Sequence, residues 1–496
     1  MRNLLILSSY ILLIAVCILW RHEMWRDELQ AWTIVTHSQD IASIFHNIRY
    51  EGHPILWFLL LWPASLFTHN PIAIQLINLC LASLTAYLVV YRSPFSLIEK
   101  ICILGSYFIF YEYAMISRNY MIGVTIMVAI AALWKDYKAN LPAICILLIL
   151  LFQTNAFMLA IASAIYGILI LQLYEEKQLF KIRTLAYLVL VLSGPLLFVI
   201  VTQSPPDNSY SASWNVVPNW NLMKIIMGNV YKGLIPIPSF HRGFWGTNIS
   251  QNQQLNSYLG ALLCLLVMYA YRKQTYSLIF LAISFGIIYV FMYTKFVGHL
   301  RHHGHFTLAL LFAGWISRYK LRNKFAEAVF LVIFIVQLVP GGFAYLTDLR
   351  YPFSNAKYVA KYIKANYGED IQIAGAYNDL SSNVAGYLEK DIHFLNDGRF
   401  SSYVVWRTKY WNYKLFRLNE DTLMHKYVQK INVGKPNLLV MNYRNGEDYA
   451  KNAIKEGESK VVRIKDENYK VSCIKTFQGA IVMDEDYLLY TMCKVK

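Results

Sequence analysis

Apolar residues along this chain come in long unbroken runs, not in the alternating or half-polar stripes of a soluble fold. Such runs recur at 3–20, 71–91, 97–116, 120–134, 141–153, 156–174, 184–203, 255–271, 276–294, 306–317 and 325–346. A helix of about twenty apolar residues crosses a hydrocarbon core of roughly 30 Å, so the pattern predicts about eleven transmembrane helices. One more apolar stretch, 54–67, is shorter and is interrupted by Pro63. Its length suits an interfacial helix better than a crossing one. Near residue 350 the pattern changes to a mixed one. Strand-like runs at 371–376, 437–441 and 479–490 and helical patterns at 354–366 and 446–456 predict a small α/β domain. The expected architecture is a polytopic α-helical membrane protein over 1–349 with a C-terminal extracytoplasmic α/β domain over 350–496.

Composition and charge sharpen this picture. The 496 residues are 56% hydrophobic and only 15% charged, which excludes an ordinary soluble domain. The net charge of +16 does not form a nucleic-acid-binding stripe. Its basic residues sit in short loops: Arg92 and Lys100; Lys135 and Lys138; Lys177, Lys181 and Arg183; Arg272 and Lys273; Arg318, Lys320, Arg322 and Lys324. With 54–67 left at the interface, all of these fall on one side, as the positive-inside rule requires. The N-terminus is then cytoplasmic. The loop 21–70, the turns 117–120 and 153–155, the loop 204–254, the stretch 295–305 and everything after about 347 lie outside. The first run ends in Ile18-Leu19-Trp20-Arg21-His22, which lacks a small-residue cleavage pattern, so it is expected to remain as a helix. The chain reads as a multi-pass protein of the cell (inner or plasma) membrane, with lipids as its surroundings. Cys473 and Cys493 share the extracytoplasmic region and form a candidate disulfide; the other five cysteines lie in apolar runs.

Candidate chemistry collects on the outer side. Of thirteen acids before residue 350, five crowd the segment 21–53: Glu23, Asp27, Glu28, Asp40 and Glu51. Carboxylates beside a bilayer are costly and mark function. Asp27 and Glu28 also suit the first turn of the amphipathic helix that begins there, and Asp40–Tyr50 reads as a second such helix. A carboxylate walled by tryptophans is a general base for an acceptor hydroxyl, and Asp27 is the leading candidate, with Glu28 and Glu51 beside it. Tyr50-Glu51-Gly52-His53-Pro54 is a sharp turn that orients Glu51 and His53. Glu112 and Arg118 flank the outer end of one span as a candidate ion pair, next to Tyr120. Arg118 also suits a phosphate. The run Lys295 to His305 is the densest cluster of cations and histidines. Its spacing fits no standard zinc site; it reads first as a turn that binds an anionic lipid phosphate, with Arg301 and His302 foremost, while a plain interfacial basic turn and a metal site stay open. The loop 204–254 is rich in proline and carries Tyr210, Trp214, Trp220, Phe244 and Trp245, candidates for stacking on sugar rings or for lying on lipid. No nucleotide fingerprint, phosphate loop, metal motif or internal repeat is visible.

The first helix followed by Trp25-Arg26-Asp27-Glu28, then Tyr50-Glu51-Gly52-His53-Pro54 before a short apolar helix, resembles the GT-C membrane glycosyltransferases. Within them it is most similar to the protein mannosyltransferase and lipid A aminoarabinose transferase branch. Ser117-Arg118-Asn119-Tyr120 is similar to that family's outer Arg-x-Tyr turn. The resemblance covers about residues 1–350 and is strongest in 1–125. It implies inverting transfer of a sugar from a polyprenyl-phosphate donor to a hydroxyl acceptor. Asp27 would be the catalytic acid residue of loop one and Glu51 its second carboxylate. Arg118 and Arg301, with His302, would bind donor phosphate, and His53, Glu112 and Tyr120 would position substrate. No cofactor is implied, and a divalent metal is left open. Two alternatives stay open from the residues alone: a transporter or flippase of a lipid-linked or anionic substrate, and a glycan polymerase or ligase.

Overall fold

A computed structural model describes residues 1–209, 214–319, 322–416, 418–442 and 453–495. Tyr210, Lys320 and residues 446–452 of the expected C-terminal helix lie outside the described residues; 453–456 are not helical. The chain folds as a polytopic helical membrane protein followed by a sheet domain. Among the described residues seven helices are long and apolar enough to cross a membrane: Arg2–Trp20, Ile72–Arg92, Ala156–Glu175, Ile182–Thr202, Gln253–Tyr271, Thr275–Thr294 and Lys324–Arg350. Two of these break midway, after Val191 and after Val336. Pro195 and Pro340 stand four residues beyond those points and remove the hydrogen bond each carbonyl would accept.

The other four apolar runs form shorter helices. Asn119–Leu133 and His305–Ser317 are buried almost all round, as befits helices at the centre of a bundle. Leu141–Phe152 is a third short helix, buried along one face only. The run 97–116 divides into Leu97–Leu104 and a wider-wound turn, Tyr107–Glu112, before the chain bends toward Arg118.

The segment 21–70 contains three short helices, Arg26–Thr36, Ile41–Ile48 and Leu56–Ser65. The last has ten residues, about 15 Å of helix, half of what a bilayer requires, and it packs its Leu61 inward with the core. Asp40 is a helix cap, its Oδ1 accepting from Ser43 N at 2.7 Å. The 204–254 segment is not wholly irregular. It holds a 15-residue helix, Trp220–Leu234, capped by Asn219 and packed on Gln253–Tyr271.

Among the described residues beyond 350, seven strands form one sheet: β1 (Gln372–Gly375), β2 (Ile392–Phe394), β3 (Phe400–Ser401), β4 (Asn437–Met441), β5 (Ser459–Ile464), β6 (Glu467–Phe477) and β7 (Tyr487–Lys494). Their order is β3-β2-β1-β4-β7-β6-β5, parallel at β2-β1-β4 and antiparallel elsewhere. Alternate side chains point to opposite faces of a strand. Leu438 and Val440 accordingly meet helices Ala356–Asn366 and Asn378–Leu388, while Leu439 and Met441 meet Glu420–Lys430. The strand expected at 479–490 begins only at Tyr487. Ile481 and Val482 instead join the core of the membrane helices, with their N–H groups bonded to Pro352 O and Phe353 O. The candidate disulfide is absent. Cys473 lies opposite Tyr490 and Cys493 opposite Lys470, and both thiols are free.

Candidate active site

Successive helix positions point about 100° apart, so the neighbours Asp27 and Glu28 face different surroundings. Glu28 is fully buried. Its Oε1 accepts from Ser117 N at 2.6 Å, and its Oε2 accepts from Trp25 N at 3.1 Å and contacts His22 Nε2 at 3.2 Å. His22 Nδ1 in turn meets Asp348 Oδ2 at 2.7 Å. Burial opposes charge on His22, but Asp348 and Glu28 outweigh it and raise its pKa well above the usual value. Glu28 is a buried staple between the first helix, the Arg26–Thr36 helix and the 117–120 turn.

Asp27 faces a cavity of about 760 Å³. Arg118 Nη1 donates to its Oδ2 at 2.8 Å, and Arg301 Nη2 lies 3.5 Å from the same oxygen. Burial pushes the Asp27 pKa up, yet the two guanidinium groups prevail and hold it below the ordinary carboxylate value. The arginines are held flat by aromatic faces. Arg301 lies 5.5 Å from the Trp25 ring and 5.6 Å from Trp245, and Arg118 lies 5.5 Å from Tyr120. Arg301 Nε is buried without a partner.

Glu51 takes a hydrogen bond from Gln30 Nε2 at 2.9 Å. Gln30 is one turn beyond Asp27 and so shares its helix face. Burial pushes Glu51 up to about 7, with the charge of Asp27 adding to the shift and Gln30 opposing it. Gly52 adopts a φ of +65°, a left-handed conformation that glycine takes without strain, and this turns His53 inward. Burial and the Arg118 charge lower His53 to about 4, leaving it neutral. Neither Glu51 nor His53 forms part of the cavity wall.

Other expected residues lie elsewhere. Glu112 does not pair with Arg118. It lines the cavity and accepts from Tyr107 OH at 3.0 Å and from Trp245 Nε1 at 3.2 Å. The wide-wound turn and the bend at 113–118 rotate the two residues away from helical register. His302 faces inward: its Nδ1 bonds His299 N at 2.8 Å, its Nε2 bonds Tyr120 OH at 3.0 Å, and its ring stacks on Phe157. Both ring nitrogens are therefore taken, and Tyr120 serves as its partner. Among the loop aromatics, Trp245 reaches the cavity, Phe244 is core, and Trp214 and Trp220 are exposed. Among the described residues no three His, Cys, Asp or Glu side chains converge as metal ligands.

The sheet domain completes the cavity with Asp379, Trp406 and Trp411, none of which the sequence pattern singled out. It also grips loop one. Arg26 N and Nη2 donate to Glu485 Oε1 at 3.1 Å and Asp484 Oδ2 at 2.8 Å, and Gln30 exchanges two hydrogen bonds with the Val404 backbone. Glu23 accepts from Phe353 N at 3.0 Å and Tyr358 OH at 2.8 Å. Of the five crowded acids, then, Glu23, Glu28 and Asp40 have structural uses.

No family model matches the chain, and no curated protein matches it. Solved structures similar to it include two of one protein. One is ArnT from Cupriavidus metallidurans bound to undecaprenyl phosphate, at 11% identity and a TM-score of 0.49, covering 98% of this chain and 97% of that one. The other is the same ArnT in the apo state, at 12% identity and a TM-score of 0.41 with the same coverage.

Proposed function

We propose that this chain is a GT-C-type membrane glycosyltransferase that moves a sugar from a polyprenyl-phosphate donor to a hydroxyl acceptor on the extracytoplasmic side, with inversion. The observation that carries this reading is Asp27, a carboxylate on the wall of a large cavity, bracketed by Arg118 and Arg301. The acceptor oxygen attacks the anomeric carbon, and its proton passes to Asp27. The bond from that carbon to the carrier phosphate breaks, and the phosphate leaves with the electron pair. Arg301, whose Nε has no protein partner, and Arg118 stabilise the departing anion. Glu51, bonded to Gln30 on the Asp27 face of the helix and with a pKa about 7, tunes the site from behind the wall: its ionisation adds negative charge near the base. His53 adds no charge. Glu112 positions Trp245, and through it Arg301.

In this reading the N-terminus is cytoplasmic, and residues 350–496 form the extracytoplasmic unit that closes the cavity. Two experiments test it. Purified protein given a polyprenyl-phosphate sugar and candidate acceptors releases polyprenyl phosphate in step with glycosylated product; absence of release from any such donor contradicts the reading. Reporter fusions after residues 138 and 300 report opposite sides of the membrane, and reports from the same side overturn the topology.

A further inference from the structure

The cavity has cationic groups at three places, and two of them are neutralised by the protein. Arg26 meets Asp484 and Glu485. Arg118 and Arg301 face Asp27. Lys232, in the last turn of helix Trp220–Leu234, lines the same cavity half-buried. Among the described residues no carboxylate pairs with it, and burial lowers the pKa of its ammonium group. A lysine at a helix end ordinarily serves the last carbonyls. Here those carbonyls have other donors: Gly233 O accepts from Thr307 Oγ1 at 2.5 Å and Leu234 O from Gln337 Nε2 at 3.0 Å.

Two buried amides share the wall with it. Asn229 lies one turn before Lys232, on the same helix face. Asn248 lies on the loop that follows the helix. They are 2% and 6% exposed, both line the cavity, and neither Nδ2 has a partner. The orientation of Asn248 is set by its Oδ1, which accepts from Ser250 N at 3.0 Å and so turns the amide nitrogen away. A buried donor without a partner is destabilising, and two of them in the wall that holds a lone ammonium form a set of donors that an oxyanion satisfies together. The placement is tightly held. A Cβ on Gly233 would fall 2.2 Å from His303 O, so the helix end packs directly on the 300–303 turn that carries Arg301.

We infer that Lys232, Asn229 and Asn248 form a second oxyanion seat in the cavity, separate from the Arg118–Arg301 cluster and suited to a phosphate group. The inference rests on the glycosyltransferase reading, in which the arginines hold the phosphate next to the transferred sugar. The second phosphate has two sources: the distal phosphate of a diphosphate carrier, or a phosphate on the acceptor.

Binding to the full-length protein in detergent, followed by native mass spectrometry, tests the seat and separates the sources. The probes are a polyprenol, its monophosphate, its diphosphate, and inorganic phosphate added to the monophosphate complex. If the carrier supplies the group, wild type binds the diphosphate at least about tenfold more tightly than the monophosphate, as one charge-assisted contact allows. Lys232→Met then removes that preference, and Lys232→Arg keeps it. If the acceptor supplies it, the two lipids bind alike, inorganic phosphate joins the monophosphate complex, and Lys232→Met abolishes that addition. Should Lys232→Met fail to fold, Asn248→Asp sets a carboxylate at the seat and gives the same losses. Unchanged phosphate preferences in the folded variants, or no second phosphate bound by wild type, overturn the seat. Wild type that does not distinguish the monophosphate from the polyprenol contradicts the glycosyltransferase reading instead, and the inorganic phosphate arm with protein alone then decides the seat.

Discussion

Replacing Glu28 by glutamine separates a structural acid from Asp27, the acid proposed as the base. The side chain keeps its shape and its Oε1, so the bond from Ser117 N survives as a neutral one. Its Oε2 becomes an amide that faces Trp25 N and His22 Nε2, both at 3.1–3.2 Å in the native chain. Loss of the helix cap costs about 1 kcal/mol. Loss of the charge-assisted contact with His22 costs about 1.5–3 kcal/mol, because His22 is buried and is left with Asp348 as its single carboxylate partner. The sum is about 2.5–4 kcal/mol, which lowers the thermal unfolding midpoint in detergent by about 2–4 °C. Sugar transfer per folded molecule at low temperature remains within a few-fold of wild type, because Glu28 does not line the cavity. Tryptophan fluorescence melts and a transfer assay on the same preparation read both quantities. A normal midpoint with abolished transfer would refute the division of roles between Glu28 and Asp27.

Two further outcomes follow from the same geometry. Glu51 has a folded pKa of about 7, raised chiefly by burial. Its proton therefore favours the folded state below the ordinary carboxylate range, and that contribution is lost as pH rises through 7. The melting midpoint of wild type falls between pH 5 and 8 by more than that of Glu51→Gln, and the limb near pH 7 in the kcat/KM profile disappears in the variant; parallel curves would show that Glu51 does not titrate there. Gly233→Ala sets a Cβ against a backbone oxygen, a clash that no side-chain rotation relieves. It destabilises the chain by about 2 kcal/mol or more and weakens transfer by displacing the 300–303 turn, whereas Gly286→Ala, where a Cβ meets nothing within 4 Å, leaves both unchanged in the same melt and assay.

The membrane helices were readable because twenty-residue apolar runs have few other uses, and the loop-one helices because their apolar positions recur with a helical period. Other features depend on tertiary context. Ala480-Ile481-Val482 looks like strand but is drawn into the membrane-helix core. The hairpin β5–β6 turns at Lys465, with φ of +55°, and its outer strand is largely exposed, so it lacks the apolar alternation that marks a strand. Helix Trp220–Leu234 was hidden by the prolines on either side of it, and Lys232, Asn229 and Asn248 with it. At the site, Asp27, Arg118 and Arg301 were all legible as residue types next to a bilayer. That Asp27 bridges both arginines, that His302 turns inward, and that Glu112 serves Trp245 all depend on turns whose register no linear pattern encodes.

Asp27 carries the proposed chemistry most directly. Asn at this position keeps the volume and a hydrogen-bond acceptor for Arg118 but removes the base and the charge between the two arginines. With a polyprenyl-phosphate sugar and a glycan acceptor, Asp27→Asn is expected to lower kcat by about a hundredfold or more, while donor binding holds or tightens because Arg118 and Arg301 lose their carboxylate. Transfer at the wild-type rate in a correctly folded Asp27→Asn protein would contradict the central claim.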